Sequence, residues 1–388
     1  MKYDLIVIGS GIVGLGHAWA AALQGLKVAV VETNSRAEGA SIRNFGMIWP
    51  VGQPAGAVRE LALRNRELWL QLGKAAGFAV EECGSLFLAH HPDELAVLQE
   101  FIDTEASHGL NAELCLPHIV KQMMPAVNTN NLQGGMFSPG ELRVTPQTAI
   151  SMATAYLADT LNVEFYFNST VVKVASGEIL TSANKVWHAS KIVIASGAYY
   201  ESLFPAAYSQ ECLLICKLQM LLTAPQPIGW KLGPHMASGP SLRHYPAFEN
   251  CPSMTELRNR ISKNMPEFDR FGIHIMASQN GNGELILGDS HEYNDDIEPF
   301  DKSEINNLII REIQKILNIP DFSISRTWNG LYAKLPKNMF FVREIRPDVL
   351  IVNGFGGNGM SLALAAAETI MQNWNSATTC EINYEPSF

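Results

Sequence analysis

Asp4-Leu5-Ile6-Val7-Ile8-Gly9-Ser10-Gly11-Ile12-Val13-Gly14 decides the fold. An apolar strand ends in a glycine turn, and a helix of small residues starts directly after it. Gly9 lets the chain turn tightly, Gly11 lets backbone approach a diphosphate, and Gly14 lets the helix pack on the strand. Ser10, Ile12 and Val13 complete the turn at the helix N-terminus, where N–H groups and the helix dipole favour negative charge. A second strand, residues 27–31, ends in Glu32-Thr33. The Glu32 carboxylate lies ~20 residues past the turn, where a dinucleotide-binding unit places an acceptor for ribose hydroxyls. An acid at that position disfavours a 2′-phosphate, so NADP is the least suited dinucleotide.

The chain has 388 residues, 47% of them hydrophobic, enough for a large core and two domains. No apolar run reaches the ~20 residues of a membrane helix. The N-terminal segment reads as a core strand without a basic region or cleavage site, so no secretory signal is expected and a cytoplasmic location fits. A net charge of -10 with no long basic run argues against a nucleic-acid partner. Cys83, Cys115, Cys212, Cys216, Cys251 and Cys380 are scattered. Cys212 and Cys216 read as strand thiols in preference to a metal or redox pair. The ten histidines show no HExxH-like spacing, so no catalytic metal is expected.

There is no internal repeat. Helices are expected over residues 57–76, 92–108, 146–161, 303–317 and 360–374. Strands are expected over 80–88, 163–174, 191–195 and 349–353, with a strand or hairpin over 134–144. Long antiparallel strands are expected over 211–223 and 271–289, the latter turning at Gly281-Asn282-Gly283. Nucleotide-type signals therefore run from end to end. The expected fold is α/β plus α+β: a discontinuous Rossmann-like domain (1–50, 142–205 and 325–388) with an inserted antiparallel-sheet substrate domain (51–141 and 206–324).

Four stretches together resemble the D-amino acid oxidase superfamily of FAD enzymes, especially its sarcosine oxidase and glycine oxidase branch. They are the opening motif with Glu32, Ala40-Ser41-Ile42-Arg43-Asn44-Phe45-Gly46-Met47, Val193-Ile194-Ala195-Ser196-Gly197-Ala198, and Gly354-Phe355-Gly356-Gly357-Asn358-Gly359-Met360. The resemblance covers nearly the whole chain. It implies FAD as cofactor, with Ser41 to Met47 beside the ribityl chain and flavin ring, and Val171 and Val172 near the adenine. It also implies that the last glycine cluster directs backbone N–H groups at the flavin's pyrimidine edge, which stabilises charge there on reduction. A flexible strand-to-helix loop is the plainer reading of that cluster. The implied chemistry is hydride loss from a carbon bearing an amine nitrogen, giving an imine that water hydrolyses.

Departures from the family pattern sharpen this. In Trp328-Asn329-Gly330-Leu331-Tyr332-Ala333-Lys334-Leu335-Pro336, Tyr332 stands where glycine oxidase-like members carry a carboxylate-clamping arginine. Gly330 replaces the cysteine to which monomeric sarcosine oxidases attach flavin, so non-covalent FAD is expected. Ser361 and Ile286 fall where family lysines stand, which leaves open whether oxygen or an electron carrier reoxidises the flavin. Arg43, Lys217, Arg243, His244 and Lys334 are the candidate anion ligands, with Tyr332 beside Lys334 on one strand face. Each has a plainer alternative: a structural partner for Arg43, a solvated strand edge for Lys217, a surface loop for Arg243 and His244, and core packing for Tyr332. Such a non-forked basic site suits a tetrahedral anion, and the resemblance extends to a subgroup associated with aminophosphonate breakdown. The expected partner is thus a small amine, amino acid-like or aminophosphonate substrate. The rivals are a 2-hydroxy acid dehydrogenase, using His244 or His274 as base, and a non-catalytic FAD-binding protein. Oligomeric state stays open.

Overall fold

The computed structural model describes residues 2–104, 107–200 and 202–374. Its first sheet has eight strands among these residues, and the opening strand Lys2–Ile8 lies near its middle. On one side Lys2–Ile8 pairs in parallel with Val28–Val31, which pairs with Glu164–Tyr166. On the other it pairs in parallel with Val186–Ile194, which pairs with Val349–Asn353. Segments from the two ends of the chain thus close one sheet. Alternation splits the strand between two cores: Leu5 and Val7 face the helices, while Ile6 and Ile8 face the other side.

On the helical face, Ile12–Leu23 and Gly359–Asn373 lie against each other. Gly16 permits this, because a Cβ there would meet Ala367 Cβ at 3.1 Å and the Ala363 carbonyl at 3.2 Å. The helix Ala57–Ala76 holds the start of the last helix. Asn65 Nδ2 and Trp69 Nε1 both donate to the Met360 carbonyl (2.9 and 2.7 Å), and Asn65 Oδ1 accepts from Leu364 N (2.9 Å). Trp69 and Asn65 are fully buried, so these bonds satisfy polar groups that burial would otherwise strand.

The second sheet has nine strands, mostly antiparallel. Its longest pair joins Leu214–Thr223 to Ile324–Lys334. Helices Pro92–Asp103, Met254–Asn264 and Ser303–Ile316 cover one face and supply its main core. The opposite face carries Cys216, Leu218, Met220, Leu222, Ile286 and Tyr332, packed against Phe45 and Ala40 of the Ala40–Met47 loop.

Several expected elements are corrected. Residues 163–174 form two strands, Glu164–Tyr166 and Val171–Ala175, separated where Asn168 takes φ 52°. Residues 134–144 are no hairpin: Gly134–Ser138 joins the second sheet, and Leu142–Arg143 pairs with Met47–Ile48. The strand expected from Val80 begins at Ser85, after Gly84 at φ 65°, and the helix expected to His108 ends at Asp103. Residues 271–289 hold two short strands, Met276–Gln279 and Leu285–Gly288, around the expected glycine turn. The expected boundary at 325 falls inside the longest strand pair of the second sheet. Cys380 and residues 375–388 lie outside the described residues.

Candidate active site

The first helix begins with an N-cap, Gly11, which has no side chain of its own to cap it. Gly9 has φ 104°, and a Cβ there would sit 2.4 Å from the Ala195 carbonyl; at Gly14 it would sit 1.9 Å from the Gly9 carbonyl. Only glycine fits either place. Ile12 N donates to Ser41 Oγ (2.9 Å), which draws the Ala40–Met47 loop to the helix start. Glu32 accepts from Ser10 N, Ser10 Oγ and Asn34 N, each at 2.9 Å, so its carboxylate stands at the rim of the glycine turn. Val13 lies in the first helical turn, Thr33 is exposed beside Glu32, Val171 is buried and Val172 is half exposed. Ser196 Oγ meets Tyr208 Oη at 3.3 Å, and the Gly197 carbonyl accepts from Asn353 Nδ2 (2.9 Å). The Gly9 and Ala195 turns therefore pack together at one end of the parallel sheet. A glycine cradle, a helix start whose first N–H alone is taken by a side chain, Ser41, and an acid at the second strand's end fit a dinucleotide diphosphate and ribose.

The loop is fixed from within. Asn44 Nδ2 donates to the Ala40 and Ser41 carbonyls (2.9 and 3.0 Å), and its Oδ1 accepts from Gly46 N (2.8 Å). Gly46, at φ 73°, lies against the Val144 carbonyl. Arg43 Nη1 donates to the Asn329 carbonyl (3.2 Å), and Trp328 Nε1 donates to the Arg43 carbonyl (3.2 Å). Arg43 thus bridges the loop to the Ile324–Lys334 strand, beside Gly330. Phe45 reaches Gly288, and Met47 is buried. At the other chain end Gly354 and Gly356 have φ 84° and 56°, and Gly359 faces Ile12 at 3.6 Å. Asn358 Oδ1 accepts from Gln53 Nε2 (3.0 Å), Met360 is held as described, and Ser361 Oγ accepts from Trp49 N (2.8 Å). Trp49 packs on Phe87 and Tyr245 (5.5 and 6.1 Å).

Gly357 is exposed, and a Cβ there would meet only the Tyr332 hydroxyl, at 3.8 Å. Lys334 lies over Gly356, and its Nζ donates to Tyr293 Oη at 3.3 Å. This amine is solvent-accessible, yet surrounding groups push its pKa below the usual lysine value by desolvation. Both properties describe a cleft wall. Beyond Tyr332 the wall continues through His291 (6.3 Å between rings), His274 (4.5 Å from His291) and His244, stacked on His274 at 3.7 Å. Burial holds the His244 and His274 imidazoles well below their usual range, and moves His291 down to about 4. It also pushes the Tyr332 phenol well above its usual range.

Two candidates are corrected. Lys217 is not on a solvated edge: it is 2% exposed, donating to the Glu298 and Phe300 carbonyls (2.9 and 2.6 Å) and pairing with Asp301 at 3.1 Å. Strand alternation places it opposite Cys216 and Leu218, away from the Ala40–Met47 loop. Arg243 is no surface-loop residue either. Its guanidinium donates to the Pro240, Ile273 and Phe268 carbonyls and pairs with Asp269 (3.5 Å). His244 Nε2 meets the Ile273 carbonyl at 3.2 Å. The sequence reading missed Asp289, His291, Tyr245 and Tyr293, which group around His274 and Tyr332. Asp289 and His291 lie in the short link between strands Leu285–Gly288 and Glu292–Tyr293, where no periodicity announces them.

A parallel sheet with a glycine cradle, packed through the Ala40–Met47 loop against an antiparallel sheet, is the architecture of a dinucleotide-binding protein. The family model described as FAD dependent oxidoreductase matches residues 4–372, and the chain belongs to this D-amino acid oxidase (DAO) family. FAD is its cofactor. An anaerobic glycerol-3-phosphate dehydrogenase subunit of Haemophilus influenzae is 30% identical over 155 residues, 40% of this chain and 28% of that one. This chain therefore spans under a third of that relative's length. Monomeric sarcosine oxidase of a Bacillus species is 21% identical over 387 residues, covering 95% and 91% of the two chains. The crystal structure of glycine oxidase from Geobacillus kaustophilus superposes with a TM-score of 0.77 at 17% identity, covering 98% and 96%. Among the described residues no helix is long and apolar enough to cross a membrane.

Proposed function

We propose that this protein is an amine oxidoreductase that removes hydride from a carbon next to an amine nitrogen of a small amino acid-like or aminophosphonate substrate. The imine product hydrolyses to an aldehyde or keto compound. The observation that carries this reading is the Tyr332 hydroxyl standing over the Gly357 backbone, with Lys334 on the same strand face. When bound, FAD supplies the two-electron acceptor. The protein's share is binding and orientation: Ser10, Glu32 and the glycine turn for the nucleotide half, and the Ser41–Met47 loop and Gly354–Met360 for the flavin half. Tyr332 and Lys334 then fix the substrate across from that backbone. On this assignment the parallel sheet and its helices (1–50, 142–205 and the chain after Lys334) are the FAD-binding unit. The nine-stranded sheet is the substrate unit.

The substrate's anionic group distinguishes the finer possibilities. Arg43 and Arg243 donate to backbone carbonyls and Lys217 points away, which leaves Lys334 as the candidate cation on the cleft wall. A point charge flanked by a phenol lacks the planar fork that matches a carboxylate, and it suits a tetrahedral phosphonate. Ile286, buried on the face toward the flavin loop, and Ser361, bonded to Trp49 N, stand where the family places lysines. These replacements support an electron carrier in place of oxygen. A second reading, a 2-hydroxy acid dehydrogenase passing electrons to a quinone or carrier, draws support from the glycerol-3-phosphate dehydrogenase match and needs a base for the hydroxyl proton.

The test is anaerobic bleaching of the purified flavoprotein by 2-aminoethylphosphonate, its N-methyl form, glycine, sarcosine and 2-hydroxyglutarate. Bleaching by the aminophosphonates alone supports the tetrahedral-anion reading, and bleaching by glycine or sarcosine overturns it while keeping amine oxidation. Reduction by the hydroxy acid alone supports the second reading. Bleaching by any of these excludes a non-catalytic FAD-binding protein.

A further inference from the structure

His274, Asp289 and His291 each offer one ligand atom, and these atoms all lie within 4.8 Å of one another. We propose that they form a binding site for a divalent first-row transition metal ion, with zinc as the representative ion. The site stands independently of the substrate reading.

The groups are built into the fold, with His274 and Asp289 7% and 5% exposed. The His274 amide donates to the Asp289 carbonyl (2.8 Å) and the His291 amide to the Phe271 carbonyl (2.8 Å). Segments 271–274 and 289–291 are therefore fixed to each other by backbone. His291 Nδ1 lies 3.1 Å from the Gly272 carbonyl. Donation there fixes the tautomer and presents the Nε2 lone pair, which stands 3.8 Å from Asp289 Oδ2. Such an outer hydrogen bond to a backbone carbonyl is the usual orienting device for a ligating imidazole. Stacking on His244 fixes the plane of His274 in the same way.

The second observation is that polar atoms here lack partners. His274 Nδ1 and Asp289 Oδ1 are buried without a hydrogen-bond partner. Leaving such groups unsatisfied costs on the order of 1–3 kcal/mol each, and native interiors rarely do so. Two neutral imidazoles and a carboxylate are a borderline N/O donor set. It matches zinc, nickel, cobalt, iron or copper, and does not match magnesium or calcium. Ligand bonds of about 2.1 Å require donor atoms about 3–4 Å apart. The widest separation allowed here, 4.8 Å, needs to close by about 1–2 Å on metal binding, while the His291–Asp289 pair at 3.8 Å already lies in range.

Positive groups nearby limit affinity without blocking the site. Arg243 is compensated by Asp269 (3.5 Å), and the Lys334 amine is directed at Tyr293 Oη. No sequence motif announces this trio, because a hairpin turn separates His274 from Asp289 and His291.

The holoenzyme, stripped with chelator and desalted, should rebind about one zinc ion per chain and show no comparable uptake of magnesium. Asp289→Asn and His291→Gln should each weaken zinc binding by at least roughly tenfold. His188→Gln, at an exposed histidine, should leave it unchanged. Wild-type protein that takes up no zinc above the magnesium control overturns the proposal, and so do D289N and H291Q variants that bind zinc like wild type. If the variants fail to fold, the cobalt-loaded wild type decides. Ligand-field bands without a thiolate charge-transfer band support the site. A thiolate band assigns the metal to a cysteine such as Cys216 and overturns it.

Discussion

Replacing Glu141 by glutamine should remove a pH-dependent instability from the floor of the cleft. Glu141 is fully buried, accepting from Val51 N (3.1 Å) and Ser85 Oγ (2.9 Å), and so ties the Pro50–Gly52 turn to the second sheet. The charged groups close by offer no counter-charge. Arg143 is paired with Glu81 (2.5 Å), and burial keeps His235 neutral, at about 3. Desolvation raises the Glu141 carboxyl from 4.5 to about 7, with its hydrogen bonds opposing the shift. A raised acid binds its proton more tightly in the folded state. The stability it contributes is complete below the unfolded value near 4.5 and is lost as pH rises through about 7. With each pH unit worth about 1.4 kcal/mol, wild type should lose roughly 2–3 kcal/mol from this group between about pH 5 and 8. The glutamine side chain keeps an acceptor for Val51 N and does not titrate. The assay is urea unfolding of both proteins across that range at one fixed excess of FAD, read as the difference between them. Taking the difference cancels the buried histidines, which act oppositely by weakening the fold as pH falls below about 6.5. A wild-type-minus-E141Q difference that stays flat within about 0.5 kcal/mol would refute the reasoning.

Gly14→Ala places a methyl group 1.9 Å from the Gly9 carbonyl, so the helix must lift from its strand. The expected cost is at least about 1–3 kcal/mol, with purified protein losing its flavin absorbance, whereas Gly39→Ala, with nothing within 4 Å, keeps it. Lys217→Met removes a buried ammonium from two carbonyls and Asp301, costing on the order of 3 kcal/mol. Its melting temperature should fall by several degrees while flavin reduction per folded molecule stays at the wild-type rate; a selective loss of reduction would place Lys217 in the chemistry after all. Tyr332→Phe should retain FAD and weaken substrate binding about tenfold, the loss of one hydrogen bond to a charged group, as read by anaerobic stopped-flow reduction. Unchanged apparent affinity would remove the Tyr332 hydroxyl from the proposed substrate wall.

The nucleotide half was legible because its signals are local. Gly9, Gly14 and Glu32 follow rules of spacing that tolerate no substitute, and the parallel strands read as continuous apolar runs. The last helix was announced by glycines and then alanines. The second sheet was less legible, since its short strands are set by tertiary pairing. Glu164–Tyr166 and Val171–Ala175 look like one β-branched run until Asn168 adopts positive φ. Lys217 shows why the cleft resisted reading. In sequence it is a lone charge in an apolar strand, and only the approach of the Glu298–Asp301 segment shows that the ammonium is a peg. Arg243 is hidden in the same way, by three backbone carbonyls from distant loops. His291 and Asp289 lie in the link after Gly288, outside any strand, and their approach to His274 is a property of the folded hairpin.

The opening strand has consequences for the order in which this protein can be made. Lys2–Ile8 leaves the ribosome well before Val186–Ile194 and, beyond that, Val349–Asn353, the strands that complete its sheet on one side. Until then one of the most apolar segments of the chain has a bare edge, which is the condition that favours chaperone capture or intermolecular strand pairing. The backbone proposed to hold the flavin is completed later still, because Gly359 must reach Ile12 to set the two helix starts side by side. The two helix starts can therefore meet only once the chain as far as Gly359 has been made, so their joint backbone is a late product of folding.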